Sequence, residues 1–218
     1  MAAGDRLRAN PVAADELARG ALELGIRFSS QQLSAFDVYI ETLLFWASRL
    51  SLTGARTANE IVKRHILDSL SVARYVKPGY KLADLGSGAG FPGIPLAIVR
   101  PRSAVVLIES RRKRANFLRE AARRCELGNV DVLEERAEEV AAQRPGSFDL
   151  VVSRAVWPVE NFLKLCRLLL RPTGLAVAMK SPEANGEFVN DPGFFEPRMM
   201  PYRLPGGIAR VLVVYAKR

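Results

Sequence analysis

The segment from Leu82 to Pro95 constrains the fold of this chain more than any other segment. It reads Leu-Ala-Asp-Leu-Gly-Ser-Gly-Ala-Gly-Phe-Pro-Gly-Ile-Pro, which is typical of an apolar strand leading through a glycine-rich turn into a helix. Glycines at alternate positions, Gly86, Gly88 and Gly90, permit positive φ and a close approach of the backbone to a ligand. Phe91 stands where the dinucleotide fingerprint requires its third glycine. The motif therefore favours S-adenosylmethionine, which has no pyrophosphate, over NAD, although a purely structural turn remains the alternative.

A second apolar run, Ala-Val-Val-Leu-Ile at 104–108, is typical of a parallel strand buried on both faces. It leads directly into Glu109. An acidic residue about 20 residues after the first glycine, at the end of a strand, can accept hydrogen bonds from both hydroxyls of a ribose. Glu109 can also cap the helix that is expected to start near Arg111, and the two roles are compatible.

The rest of the pattern predicts an α/β fold with a doubly wound, mostly parallel sheet. Further strands, with helices between most of them, are predicted near 104–109, 129–133, 148–153, 174–180 and 209–216. Three helical segments precede the sheet, at Asn10 to Leu24, Ser30 to Leu50 and Ala58 to Val76. A short strand near 196–202, inside an irregular loop at 182–207, is expected to form a terminal hairpin. We expect a helical extension at 1–78 and a compact sheet domain at 79–218.

The charge of the chain points to a polyanionic partner. Its formal net charge is +9 and its pI is about 10, and a basic excess favours nucleic acid through counterion release. Basic residues outside the apolar stripe of one predicted helix are expected to form a solvated face or part of an RNA-binding surface: Arg111 to Arg114, Arg119, Arg123 and Arg124. A basic protein with no nucleic-acid partner is the alternative.

Several protein classes are disfavoured by composition. No apolar run approaches the ~18 residues of a membrane span, and the first ten residues lack the apolar core of a signal peptide. The two cysteines, Cys125 and Cys166, are expected within helices, and there is one histidine and no C-x-x-C pair. We therefore expect a cytoplasmic protein with reduced thiols and no metal. Nothing in the sequence indicates an obligate dimer, so a monomer is expected.

Ligands of open α/β sheets bind beyond the carboxyl ends of the strands, and this rule nominates further site residues. After the third strand, the backbone near Ala137 and the carboxylate of Glu138 are placed to read adenine, although an ordinary helix N-terminus is equally compatible. After the fourth strand comes Arg154, a cation that needs an anionic partner if it points into the site. Lys180 ends the fifth strand and is expected at the same rim.

Arg64, His65 and Asp68 are spaced to share one helix flank. Spacing alone favours a surface ion pair and a core histidine. The functional alternative is that Asp68 orients His65 or Arg64 toward a target nucleotide.

The chain resembles a known family at three motifs: Asp84 to Ile98, Arg64-His-Ile-Leu-Asp-Ser, and Ser153-Arg-Ala. They are similar to those of ribosomal RNA small-subunit methyltransferase G, also called glucose-inhibited division protein B, and the resemblance runs from about residue 40 to the end. It implies a Rossmann-like class I methyltransferase fold with seven strands. It also implies transfer of a methyl group from S-adenosylmethionine to N7 of a guanine in 16S rRNA, with naked rRNA or the 30S subunit as partner. The cofactor contacts that it implies are Gly86, Phe91, Ala137, Glu138 and Arg154.

The same resemblance moves Arg64, His65 and Asp68 near the cofactor or RNA, beside Arg154 and Lys180, as catalytic candidates. The chain departs from the family pattern in two places. Ser51-Leu-Thr stands where the family commonly has Asn-Leu-Thr, which puts any role of that Asn in doubt. Lys180-Ser stands where the family commonly has Lys-Gly.

The residue chemistry agrees with N7 as the methyl acceptor. The fourth strand is not followed by the Asp/Asn-Pro-Pro-aromatic stretch of base-amino methyltransferases, and neither cysteine is expected near the cofactor as a nucleophile. Guanine N7 already carries an in-plane lone pair and needs no general base. Phe91 and Trp157 are conjectural stacking partners for the guanine. Two alternatives remain: a methyltransferase acting on a small molecule or protein, and a non-catalytic RNA-binding assembly factor.

Overall fold

A computed structural model describes residues 11–154, 158–182 and 189–218, so Asn10 and Trp157 lie outside the described residues. The helices are α1 (Pro11–Glu23), α2 (Ser30–Ala47), α3 (Ala58–Ile61), α4 (Leu67–Leu70), α5 (Gly93–Val99), α6 (Arg112–Arg124), α7 (Ala137–Gln143) and α8 (Val159–Leu169). The strands are β1 (Lys81–Leu85), β2 (Ala104–Ile108), β3 (Val130–Leu133), β4 (Phe148–Arg154), β5 (Leu170–Lys180), β6 (Arg198–Arg203) and β7 (Ala209–Ala216). Within the described ranges, no helix has the length and apolarity needed to cross a membrane.

The seven strands form one sheet in the order β3-β2-β1-β4-β5-β7-β6. The first five strands are parallel, whereas β7 runs antiparallel to β5 and β6 runs antiparallel to β7. This arrangement confirms the α/β class, the mostly parallel sheet and the terminal hairpin. Strand β5 begins earlier than predicted, because Leu170 pairs with Phe148 before the register shifts to Leu175 opposite Leu150.

Apolar side chains of successive strand residues enter two separate cores, one on each face of the sheet. In β2, Val105 and Leu107 join the core beneath the N-terminal helices, α5 and α6, whereas Val106 and Ile108 join the core beneath α7 and α8. Both faces are therefore covered, as a parallel sheet requires. The expected boundary after residue 78 lies between the last N-terminal helical turn and β1, and the division into an extension and a domain stays a prediction.

The third predicted helix is helical from Ala58 to Tyr75, but it is not a uniform α-helix. A π-helical turn, Val62–Ile66, separates α3 from α4, and a 3-10 segment, Ser71–Tyr75, follows. π-turns inside helices occur frequently at functional sites. This one carries two of the predicted site residues, Arg64 and His65.

Candidate active site

The glycine-rich turn after β1 has the backbone that the sequence predicts. Gly86, Gly88 and Gly90 all have positive φ, from 56° to 90°. Gly90 also has no room for a side chain, because a Cβ there would lie 2.7 Å from Ile94. At Gly93 a Cβ would lie 2.1 Å from Leu107, so the start of α5 packs directly on β2. The glycines therefore set both the turn and the helix that follows it.

A cavity of about 270 Å³ opens beside this turn, where β1, β2 and β3 end. Its lining includes four of the predicted cofactor residues: Gly86, Glu109, Ala137 and Glu138. The Glu109 residue is 5% exposed. Its two carboxylate oxygens accept backbone hydrogen bonds from Gly88 at 3.0 Å and from Arg111 at 2.9 Å. Glu109 therefore holds both the glycine turn and the residue that precedes α6. Each oxygen retains a lone pair for a further donor.

Asp84 lies beneath the turn at the end of β1 and is completely buried. Its Oδ2 accepts a hydrogen bond from the Gly93 amide at 3.0 Å, whereas Oδ1 has no partner among the described residues. Burial raises the pKa of the Asp84 carboxyl to about 7, although the Gly93 bond opposes the rise. The floor of the turn therefore holds a carboxyl that ionises near neutral pH.

The raised pKa of Asp84 predicts a pH-dependent loss of stability. Because the fold favours the protonated carboxyl, its contribution is complete below about pH 4 and is lost as the pH rises to about 7. Asp84→Asn retains an acceptor for Gly93 but cannot ionise. Between pH 4 and pH 8, the free energy of unfolding of the wild type, measured by denaturant titration, should therefore fall by up to about 4 kcal/mol relative to that of the variant. An identical pH dependence in the two proteins would contradict this account.

A second cavity, of about 600 Å³, lies where β4 and β5 end. Predicted catalytic residues from the helical region and from two strands line it together: Arg64, His65, Asp68, Arg154 and Lys180. Arg210 of β7 lines the same cavity and was not predicted. The described lining of the cavity thus combines four cationic side chains with one carboxylate.

His65 is held as a neutral imidazole between two neighbours. Its Nδ1 lies 2.9 Å from Nη1 of Arg154, and its Nε2 lies 2.8 Å from Oγ1 of Thr53. Because a guanidinium can only donate, Nδ1 is the acceptor and the ring proton is on Nε2. Burial, and then the charges of Arg154, Arg64 and Arg210, lower the pKa of His65 to about 4. At neutral pH this histidine is an uncharged link between Thr53 and Arg154.

Among the described residues, the Asp68 carboxylate faces three donors. Its Oδ2 lies 3.6 Å from Arg154, and its Oδ1 lies 2.5 Å from the Tyr202 hydroxyl and 3.9 Å from Arg210. Burial raises the pKa of Asp68, and the Tyr202 hydrogen bond opposes that rise. Asp68 therefore reaches His65 through Arg154, and the hypothesis that Asp68 orients His65 or Arg64 toward a target nucleotide stays a prediction.

The Phe91 side chain packs against His65 and Arg154 of the second cavity and against Tyr39. It is 3% exposed; the His65 ring stacks on it at 4.9 Å, and the Arg154 guanidinium lies 4.8 Å from its centroid. Tyr39 meets its edge and donates a hydrogen bond to the carbonyl of Ala89 in the glycine turn. With its ring covered in this way, Phe91 has little surface on which a guanine can stack.

A family model described as rRNA small subunit methyltransferase G matches residues 32–195. A protein of that name from Geobacter metallireducens is 42% identical over 168 residues, which are 77% of this chain and 76% of the relative. Another, from Geotalea uraniireducens, is 36% identical over 215 residues, which are 95% of this chain and 98% of the relative. The chain belongs to the rRNA small subunit methyltransferase G family.

Solved structures show the class I methyltransferase fold independently. A predicted O-methyltransferase from Agrobacterium tumefaciens has a TM-score of 0.59 at 20% identity, covering 69% of this chain and 80% of that one. A SAM-dependent methyltransferase from Aquifex aeolicus has a TM-score of 0.54 at 15% identity, covering 73% of this chain and 93% of that one. The Rossmann-like class I methyltransferase fold that the family resemblance implies is therefore confirmed.

The two cysteines and the potential metal ligands were also considered in the sequence. Cys166 lies within α8, whereas Cys125 follows the last residue of α6 rather than lying inside the helix, and both thiols are buried. Burial raises the pKa of Cys125 to about 12 and that of Cys166 well above its usual value, which is the opposite of nucleophile activation. Within residues 11–154, 158–182 and 189–218, no group of three or more His, Cys, Asp or Glu residues could hold a metal ion.

Most arginines of α6 are exposed, whereas Arg114 and Arg124 are half-buried, and several of these arginines have acidic neighbours. Arg119 pairs with Glu134, Arg123 with Glu120, and Arg124 with Glu41. Such pairs reduce the charge that this face offers to RNA, and its role in RNA binding stays a prediction.

Proposed function

We propose that this protein transfers a methyl group from S-adenosylmethionine to N7 of a guanine in 16S rRNA. Membership of the rRNA small subunit methyltransferase G family supports the reaction and the substrate class. The observation that carries the choice of N7 is that the second cavity offers cations and hydrogen-bond donors while its base candidates are already engaged. Ribosomal RNA as substrate also implies a cytoplasmic location.

The first cavity fits the nucleoside part of the cofactor. The Glu109 carboxylate, fixed by two backbone amides, can accept from both hydroxyls of a ribose. Gly86 offers backbone without a Cβ, and the segment at Ala137 and Glu138 forms the opposite wall, where we place the adenine. We assign Gly88 and Gly90 a supporting role, and Phe91 can contribute only through its backbone because its ring is buried.

Bound S-adenosylmethionine supplies an electrophilic methyl group on its sulfonium. Of the described residues around the second cavity, the two candidate bases are His65 and Asp68. Arg154 donates to Nδ1 of His65, and Asp68 faces Arg154, Tyr202 and Arg210. A methyl acceptor that must lose a proton would need one of these groups free. Guanine N7 needs neither, because its lone pair is available at neutral pH.

The charge of the second cavity fits a nucleotide. Among the described residues that line it, the cations Arg64, Arg154, Lys180 and Arg210 outnumber the carboxylate of Asp68, so an anionic ligand is favoured over a neutral one. Arginine and lysine are the side chains that most often bind guanine O6 and backbone phosphates. We assign the four cations to guanine recognition and phosphate positioning, so that catalysis depends mainly on proximity and orientation, an effect that can reach roughly 7–11 kcal/mol.

Radiolabelled methyl transfer tests this proposal. The purified protein should transfer label from S-adenosylmethionine to 16S rRNA, supplied as 30S subunits and as naked RNA in parallel. Label in a small molecule or in ribosomal protein would instead favour a methyltransferase that acts on small molecules or proteins. A protein that binds 30S subunits but shows no heat of binding with S-adenosylmethionine would be a non-catalytic assembly factor.

A further inference from the structure

Tyr202 connects the edge of the sheet to the candidate active site. It lies on β6, the last strand in the sheet order, and pairs with Arg210 of β7. Its hydroxyl donates a hydrogen bond to Oδ1 of Asp68 at 2.5 Å, and the two residues are 134 positions apart in the chain. No motif of the sequence includes this tyrosine, so its position is a product of the tertiary fold.

The bond between Tyr202 and Asp68 is directional. Burial and the neighbouring Asp68 charge raise the pKa of Tyr202, so the phenol stays protonated and acts as the donor at neutral pH. Asp68 is 3% exposed, and a buried carboxylate depends on such donors to remain ionised. With Oδ1 committed to Tyr202, the other oxygen faces Arg154.

Arg154 is the next member of the chain of contacts. Its Nη1 lies between Oδ2 of Asp68 and Nδ1 of His65, and its guanidinium packs over Phe91. The side chain is 22% exposed, so the cavity can be reached from it. A guanidinium fixed on three sides has a defined orientation toward the cavity. A mobile guanidinium would bind its ligand more weakly, because binding would then cost side-chain entropy.

We propose that Tyr202 is a positioning residue for methyl transfer, which fixes the Asp68 carboxylate so that Asp68 holds Arg154 in place against His65. The proposal rests on the proposed function for its kinetic consequence. Its structural consequence, the placement of Arg154 beside His65, is independent of which substrate is methylated.

The charged and titratable groups facing Asp68 set the expected pH dependence. They are Arg154 on β4, Tyr202 on β6 and Arg210 on β7, while Arg64 and His65 of the π-turn and Lys180 of β5 line the same cavity. The Tyr202 bond lowers the pKa of Asp68. Its removal should raise that pKa, so that Asp68 protonates and releases Arg154 at a higher pH.

Tyr202→Phe, which keeps the ring and removes the hydroxyl, is the test. We expect kcat for methyl transfer to fall about tenfold at neutral pH, with the dissociation constant for S-adenosylmethionine unchanged. The acidic limb of the pH–rate profile should move to higher pH. The matched control is Tyr80→Phe, which removes a hydroxyl just before β1, at the opposite end of the sheet, and should leave both the rate and the profile unchanged.

A double variant separates positioning from general destabilisation. In an Asp68→Asn background, Tyr202→Phe should cause no further loss of kcat, because two residues that act through one another are not additive. An equal loss in both backgrounds, or a wild-type rate and pH profile in Tyr202→Phe, would overturn the proposal.

A spectroscopic readout keeps the proposal testable even if the wild type transfers no methyl group to rRNA, the result that would refute the proposed function. His65 is the single histidine of the chain, so its imidazole nitrogen signals in an NMR spectrum are unambiguous. At neutral pH, loosening Arg154 removes the donor that faces Nδ1 of His65. The Nδ1 signal should therefore shift in Tyr202→Phe and not in Tyr80→Phe. An unchanged Nδ1 signal in Tyr202→Phe would overturn the proposal.

Discussion

Arg154→Ala is expected to lower kcat/KM for rRNA by roughly two to three orders of magnitude. The substitution removes a cation of the second cavity and leaves Asp68 with Tyr202 and Arg210 as its remaining partners. It also frees Nδ1 of His65. The affinity for S-adenosylmethionine should change much less, because Glu109 and Gly86 of the first cavity are untouched. Steady-state kinetics with rRNA and calorimetry with the cofactor together measure this split.

The sheet provides a matched control for Arg154. Arg171 pairs with Asp149 at 2.7 Å near the start of β5, at the end of the sheet remote from both cavities. Arg171→Ala removes an ion pair of a similar kind and should leave kcat/KM unchanged. Equal losses in the two variants would show that the effect of Arg154 is one of general stability. Arg154→Lys retains the charge without the planar guanidinium and should recover only part of the activity.

Glu109→Gln is expected to weaken the binding of S-adenosylmethionine by about 100-fold. Two charge-assisted hydrogen bonds to a ribose are worth about 1.5–3 kcal/mol each, and an amide cannot accept on both atoms. Binding of S-adenosylhomocysteine should weaken by the same factor, because the two compounds share the ribose and differ at sulfur. Calorimetric titration with each compound gives both constants.

The control for Glu109 lies at the end of the adjacent strand. Glu134 follows β3 and pairs with Arg119 on the helix surface, so Glu134→Gln should leave both affinities unchanged. A Glu109→Gln variant that binds both compounds as the wild type does would remove Glu109 from the ribose site.

Local sequence predicted the parts of the site that depend on backbone geometry. The alternate glycines require positive φ, and Gly86, Gly88 and Gly90 have it. Continuous apolar runs identify parallel strands, which fix where Glu109 and Arg154 emerge, because parallel strands end at one edge of the sheet. The same argument predicted that Lys180, at the end of β5, lies at the same rim as Arg154, and both residues line the second cavity.

The polar network was not predictable, because its members are distant in sequence. Tyr202 lies on an edge strand with only a weak alternation of apolar residues, and nothing local indicates its contact with Asp68. The spacing of His65 and Asp68 predicts one shared helix flank, but the π-turn interrupts the regular helix there and Arg154 links the two side chains. Thr53 belongs to the Ser-Leu-Thr motif, but nothing in that motif indicates its contact with His65, which only the tertiary fold creates.

Locating the added methyl group tests the central claim most directly. After reaction with 30S subunits or naked 16S rRNA, reduction and aniline cleavage break RNA chains at N7-methylated guanines. The account predicts a single new cleavage at one guanine in 16S rRNA, strongly reduced with Arg154→Ala and retained with Arg171→Ala. A methyl group found on an exocyclic amine, on a pyrimidine carbon or on protein would contradict it.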